Sequence, residues 1–263
     1  MIWIAILLGL VEGITEFLPV SSTGHLILVG HLLGYTGEEA SVFEIVIQLG
    51  AILAVVWEYR KHLFEVGTRV LTDRASFGLV RNLALAFVPA ALVGFLFHHA
   101  IKERLFSPVT VACALVAGGI VMLAIEWARP SSSVSSIMEI PWTRALWVGL
   151  AQVLSLFPGV SRAAATILGG MTVGLDRRTA TEFSFYLAIP TMLAATGYEL
   201  LKSWSQLTTS ALGYLAVGFV VAFLSALLAV RVFIRYVARH DLKPFAWYRI
   251  ALGTVVLLYF ARH

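Results

Sequence analysis

Apolar residues gather into ten runs, at approximately 2–18, 21–34, 43–58, 80–98, 108–128, 143–157, 161–174, 183–201, 211–234 and 246–262. Such runs, recurring along a whole chain, predict helices that cross or enter a bilayer. Lipid offers the backbone no hydrogen-bond partner, and a helix supplies its own. The stretch from Pro130 to Pro141 holds five serines and divides the runs into two sets of five. It reads as a flexible connector. The expectation is an all-α, polytopic integral membrane protein with one membrane domain over 1–263, its halves approximately 1–129 and 141–263 joined by 130–140.

Composition agrees with this pattern. Hydrophobic residues make up 59% of the 263 positions and charged residues 13%, with a mean hydropathy of +0.88. Soluble domains carry about 25% charged residues, so too little polar surface remains to cover a water-soluble core of this size. The net charge of +4 does not point to nucleic acid, since lysine and arginine crowding cytoplasmic loops account for it. Cys113 stands alone, which excludes an intrachain disulfide and a cysteine metal site. The first run begins at Ile2 without a basic flank and contains Glu12 and Glu16, so it is not expected to be a cleaved signal peptide.

The halves repeat. A gapless shift of 140 positions pairs Gly9-Leu10 with Gly149-Leu150, Phe17 with Phe157, Val20-Ser21 with Val160-Ser161, Gly30 with Gly170 and Gly34 with Gly174. Two runs in each half look too short to cross: 15 residues from Val20 to Gly34 span about 22 Å as a helix, against a hydrocarbon core of about 30 Å. The run before them is interrupted by Glu12, Gly13 and Glu16 and ends at Pro19; Phe157-Pro158-Gly159 marks the matching break. A re-entrant helix hairpin fits better than two crossings, provided the break is buried in protein or lines a wet cavity. Each half then has one hairpin and three transmembrane helices. Three is odd, so the halves are inverted, a plan that places a site near the midplane.

Charge sets the expected orientation. With the amino terminus outside, the inner loops collect fourteen lysines and arginines, Arg60, Lys61, Arg69, Arg74 and Arg249 among them, and the outer side four, Lys102, Arg104, Lys202 and Arg262. Arg162 is the one basic residue left over, and it falls at the second break.

Glu12, Glu16 and His25 lie at the equivalent depth in the first half, where ionisable groups are costly and face a cavity or one another. Glu12 and Glu16 are spaced i, i+4 and share a helical face. So close a pair can hold a divalent cation or divide into an acid and a base. Pro19 ends one helix, and Ser22 or Thr23 can cap the next; Pro158-Gly159-Val160-Ser161-Arg162 does the same in the second half. Two helix N-termini meeting at a buried break make an anion site, and an arginine there suggests phosphate. A structural ion pair is the plainer reading of each charge taken alone. His98 and His99 invite a metal reading, but adjacent helical residues point apart and both are read as interfacial.

The stretch Glu12-Gly13-Ile14-Thr15-Glu16-Phe17-Leu18-Pro19-Val20-Ser21-Ser22-Thr23-Gly24-His25 strongly resembles the signature of the bacterial undecaprenyl-diphosphate phosphatases, the bacitracin-resistance family. So do Phe43-Glu44-Ile45-Val46-Ile47-Gln48-Leu49-Gly50, Pro158-Gly159-Val160-Ser161-Arg162, Glu182-Phe183-Ser184-Phe185 and Tyr248-Arg249. The resemblance covers the whole chain. It implies a hydrolase of the bacterial inner membrane that converts the C55 diphosphate carrier of cell-wall synthesis to its monophosphate, with a divalent metal, Mg2+ or Ca2+, at a site open to the periplasm. Carried onto matching positions, the family roles are metal or acid–base work for Glu12 and Glu16 and chemistry at Ser22 and His25. Phosphate contacts would fall to Ser21, Thr23, Ser161, Arg162 and Thr166. One departure stands out: the family usually reads Ser-Arg-Ser-Gly-x-Thr where this chain has Ser161-Arg162-Ala163-Ala164-Ala165-Thr166. The expected partners are a polyprenyl diphosphate lipid and the membrane, with a homodimer compatible and nucleic acid excluded. A transporter or lipid flippase is the alternative, because inverted repeats with broken helices are also a transporter plan.

Overall fold

The computed structural model describes residues 1–105, 107–128, 130–203 and 212–261, with side chains at all of these except 38, 98–105, 260 and 261. His98 and His99 therefore lie outside the described side chains, as do Lys102, Arg104, Arg129 and Arg262. Ten α-helices follow one another: α1 (Ile2–Thr15), α2 (Ser22–Leu32), α3 (Glu38–Arg69), α4 (Arg74–Leu105), α5 (Pro108–Ala128), α6 (Trp142–Val153), α7 (Arg162–Thr172), α8 (Arg177–Lys202), α9 (Leu212–Val237) and α10 (Lys243–Ala261). Each apolar run has its helix. The longest, α3 and α4, overrun their runs at both ends because helix continues through polar residues such as Arg69 and Arg74.

Among the described residues four helical stretches are long and apolar enough to cross a membrane: Glu39–Arg69, Arg74–Phe97, Pro108–Ala128 and Leu212–Val237. The chain is thus all-α and largely membrane-embedded. α8 and α10 have the length of crossings, 26 and 19 residues. However, α8 carries Arg177, Arg178, Glu182, Glu199 and Lys202, and α10 carries Lys243 and Arg249. α1, α2, α6 and α7 are short, at 14, 11, 12 and 11 residues.

Helices without a hydrophobic drive between them associate through close backbone approach, which small residues permit. α1 packs on α9, and α6 on α4. In the first pair Gly9 faces the Gly218 carbonyl so closely that a Cβ would lie 2.7 Å from it; in the second, a Cβ on Gly149 would lie 2.5 Å from the Ala86 carbonyl. Gly9 and Gly149, paired by the 140-residue shift, thus do the same work at two crossings.

The connector is not flexible in the way its serines suggest. Val134, Ile137 and Ile140 are buried, and the strand-like segment at Val134 pairs with the α7–α8 turn. Val134 N donates to Gly174 O at 3.1 Å, and Asp176 N donates to Val134 O at 3.1 Å. Asn82 Nδ2 holds Ile140 O at 2.6 Å. Three apolar side chains interleaved with the serines anchor this segment against the core, and the serines face outward or cap turns. On the surface side of the α3–α4 turn, Asp73 caps α4, accepting from Ser76 N at 2.8 Å and Ser76 Oγ at 2.7 Å. Those bonds hold its carboxyl below the ordinary value.

Candidate functional site at two helix breaks

The chain leaves helix between α1 and α2 and again between α6 and α7. Both breaks end on a serine at positive φ: Ser21 at 71° and Ser161 at 70°, the two non-glycine residues with positive φ among those described. L-residues adopt this conformation at a cost of about 1–2 kcal/mol, which persists where surrounding contacts impose it. Each serine then caps the following helix. Gly24 N donates to Ser21 Oγ at 3.4 Å, and Ala164 N donates to Ser161 Oγ at 3.2 Å. The first cap is therefore Ser21 and not Ser22 or Thr23. The sharp reversal at Ser21 places Ser22 inside the helix and turns its hydroxyl elsewhere.

That hydroxyl donates to Glu16 Oε2 at 2.5 Å. The other oxygen of the same carboxylate, Oε1, accepts from Arg162 Nη2 at 3.2 Å. Glu16 and Arg162 are both buried, at 8% and 9% exposure, so the cation expected alone at the second break is balanced by a carboxylate from the first. Arg162 Nη1 reaches the Ser184 carbonyl at 3.2 Å, and its guanidinium lies 5.7 Å from the centre of the Phe17 ring. Among the described residues its buried Nε meets no hydrogen-bond acceptor. An orphan donor on a buried guanidinium is the feature an anion would satisfy.

Glu12 lies one turn before Glu16, its carbonyl accepting Glu16 N at 2.9 Å, and is buried to 2% exposure. Among the described residues its carboxylate accepts no hydrogen bond. Glu44 of α3 is near enough for its charge to be felt at Glu12. No group of three or more His, Cys, Asp or Glu side chains gathers as a metal cage among the described residues.

His25 follows Ser22 by three positions on α2 and shares its face. Its Nδ1 lies 2.7 Å from Ser21 O and its Nε2 lies 2.7 Å from Tyr248 Oη. Thr23 is half-buried. Thr166 is fully buried and faces inward: its Oγ1 donates to Arg162 O at 2.8 Å and pairs with Ser184 Oγ at 2.6 Å. It thus lies behind Arg162, while Ser161 is occupied as a cap.

Sequence reasoning misplaced one residue, which it named in a motif without a role. Arg249, counted among the inner-loop cations, is fully buried, and its guanidinium donates to carbonyls of both breaks: Pro19 O at 3.1 Å, Val160 O at 2.9 Å and Gly159 O at 3.0 Å. An arginine in the first half of a terminal apolar run reads as a loop residue; only the tertiary contacts reveal it. Ser184, named in a motif without a role, is the contact that joins Arg162 to Thr166.

The fold and these contacts define an integral membrane protein in which carboxylate, hydroxyl, imidazole and guanidinium groups converge where two helices break. The chain belongs to the family described as bacitracin resistance protein BacA, whose family model matches residues 5–255. It is 56% identical over 262 residues to the undecaprenyl-diphosphatase of Methylobacillus flagellatus, covering 97% of both chains. To undecaprenyl-diphosphatase 2 of Rhodospirillum rubrum it is 56% identical over 254 residues, covering 96% of this chain and 93% of the relative. It is also 49% identical over 259 residues to the undecaprenyl-diphosphatase of Caldanaerobacter subterraneus, covering 98% and 96%.

Proposed function

We infer that the chain hydrolyses undecaprenyl diphosphate to undecaprenyl phosphate and inorganic phosphate, recycling the lipid carrier of cell-wall synthesis and thereby conferring bacitracin resistance. Its relatives bear the name of that activity along nearly their whole length, and a transporter or flippase draws no support from them. The observation that carries a mechanism is the Ser22 hydroxyl at 2.5 Å from Glu16, a nucleophile with its base. Ser22 Oγ attacks the terminal phosphorus, its proton passes to Glu16, and the bridging P–O bond breaks to release undecaprenyl phosphate. Water then attacks the phosphoserine, the P–Oγ bond breaks, Glu16 returns its proton to Ser22, and the water's proton leaves with the phosphate. Arg162 offers its orphan N–H to the phosphate oxygens, where preorganised donors lower the barrier. His25, with both nitrogens engaged, serves better to orient the site and handle a proton than to attack phosphorus. Ser21 and Ser161 present the backbone N–H groups of the helix starts to the phosphate.

A divalent cation fits this donor set. Hard carboxylate oxygens suit Mg2+ or Ca2+, and Mg2+ is commonly bound by one or two carboxylates with substrate phosphates completing the shell. Glu12, buried and without a donor, is the better ligand; each Glu16 oxygen already accepts one hydrogen bond. Bound there, the cation would offset charge on the diphosphate.

The architecture we propose is an inverted repeat of five helices and five, with α1–α2 and α6–α7 as re-entrant hairpins. Their lengths support it, because 14 residues of α1 reach about 21 Å, short of a core of about 30 Å. The charge asymmetry supports a site opening to the periplasmic face of the inner membrane. A homodimer is compatible with this reading, and cross-linking in native membranes tests it.

Purified protein in detergent, supplied with C55 diphosphate and Mg2+ or Ca2+, should release phosphate, and Ser22→Ala should not. Detergent holds no gradient, so an inactive wild-type protein would count against hydrolysis. For orientation, a cysteine at exposed Thr36 should label from outside sealed cells and one at exposed Thr72 should not. Labelling at Thr72 alone reverses the topology.

A further inference from the structure

Two consecutive residues of α10 reach the site without a part in the reaction proposed above, on which this inference rests. Arg249 spends its five N–H groups on backbone carbonyls, adding Ala114 O at 3.3 Å and Leu115 O at 3.4 Å to those of the two breaks. Room for it is made at Gly118, where a Cβ would collide with Nη2. α10 is thereby held in register with both breaks at that residue. Its neighbour Tyr248 then lies with its ring stacked on His25, centroids 5.6 Å apart and planes within 5°.

The hydrogen bonds at His25 fix its chemistry. Ser21 O can only accept, so Nδ1 carries the proton. In the neutral imidazole Nε2 is then the acceptor, and Tyr248 O–H is its donor at 2.7 Å. Both nitrogens of the ring are therefore assigned, and its plane is set by stacking. Tyr248 is half exposed at 46%, so its ring is not a filler of the core, and the hydroxyl is the part that meets the site.

We propose that Tyr248 is a positioning residue for the hydrolysis: through its hydroxyl, which donates to Nε2 in the tautomer that Ser21 O sets, it fixes the orientation of His25 beside Ser22, and Arg249 holds it in place. Among the described residues its hydroxyl bonds to His25 and not to Ser22, so it acts through His25. A role confined to packing would be kept by phenylalanine; this one would not.

Tyr248→Phe retains the stacked ring and removes one donor. In the full-length protein it should lower kcat about tenfold, equivalent to about 1.4 kcal/mol, with KM little changed. In a His25→Gln background the same change should cost nothing further, because two residues acting as a unit are not additive. A readout independent of turnover is carbethoxylation of His25 by diethyl pyrocarbonate, followed by mass spectrometry. The Nε2 lone pair, freed from the Tyr248 hydroxyl, should react several-fold faster in Tyr248→Phe. Wild-type kcat with unchanged labelling in Tyr248→Phe overturns the proposal, as does a full additional loss in the His25→Gln background. If the wild-type protein releases phosphate in either case, the hydrolytic reading stands and only the positioning role falls. A fully active His25→Gln removes His25 from the site and the proposal with it.

Discussion

The two helix breaks are alike in backbone and unlike in chemistry. Ser21 and Ser161 share a φ near 70° and the same capping bond, and each is followed by the first residue of a short helix. In the first break that residue is Ser22; in the second it is Arg162. These equivalent positions meet on one carboxylate, Ser22 at Oε2 and Arg162 at Oε1 of Glu16. Shifted by 140, Glu12, Glu16 and His25 correspond to Gln152, Leu156 and Ala165. The first break therefore holds the carboxylates, the imidazole and the hydroxyl, and the second contributes the cation and its backing. On the repeat we propose, one copy is free to diverge once the two face each other, and the proposed chemistry lies in the difference between them.

The comparison can be broken most severely at Arg249, the side chain common to both breaks. Arg249→Met would leave the carbonyls of Pro19, Gly159 and Val160 without donors, at a cost on the order of 3 kcal/mol, and much less folded protein should be recovered from membranes. A recovery equal to wild type by detergent size-exclusion would mean the breaks hold each other without it.

Glu16→Gln comes next. Turnover should fall at least 100-fold, about 2.7 kcal/mol, and the melting temperature should fall too because Arg162 loses its buried counter-charge. Pairing it with Arg162→Gln should recover much of the stability and none of the activity. Should the double variant regain turnover, the contact is structural. Arg162→Lys should retain the charge but lose at least about tenfold in kcat, nearly as much as Arg162→Ala, since lysine cannot serve Glu16, the Ser184 carbonyl and a phosphate together. Most of kcat surviving in Arg162→Lys would reduce the residue to half of an ion pair.

The smallest effect is expected at the positions where this chain departs from the family's usual pattern. Ala163 and Ala164 are buried on α7, so Ala163→Ser with Ala164→Gly introduces a buried hydroxyl and a helical glycine. The pair should cost about 1–2 kcal/mol of stability and leave turnover equal or higher. A fall in turnover would show that the alanines serve the site.

Much of this was legible in the chain itself. All ten helices follow the apolar runs, and Pro19 with Pro158-Gly159 marked both breaks, because backbone rules act locally. Glu12, Glu16, His25 and Arg162 were conspicuous as charges or titratable groups where lipid forbids idle ones. What escaped depends on contacts distant in sequence. Arg249 looks like any loop cation until its carbonyl partners, some 90 to 230 residues away, are known. The order of 130–140 follows from where Val134, Ile137 and Ile140 settle, which five serines conceal. The choice of Ser21 as cap depends on a positive φ that the triplet Ser21-Ser22-Thr23 does not announce.

The arginine that joins the breaks also gives the protein an order of events. Pro19 emerges from the ribosome first, Gly159 and Val160 long after it, and Arg249 last of the four. Until α10 is in place the two breaks lack the guanidinium that their carbonyls share, and Tyr248 cannot reach His25. Joining the two breaks is thus a late step in the assembly of the fold, and a chain stalled before Arg249 lacks the guanidinium that both breaks share.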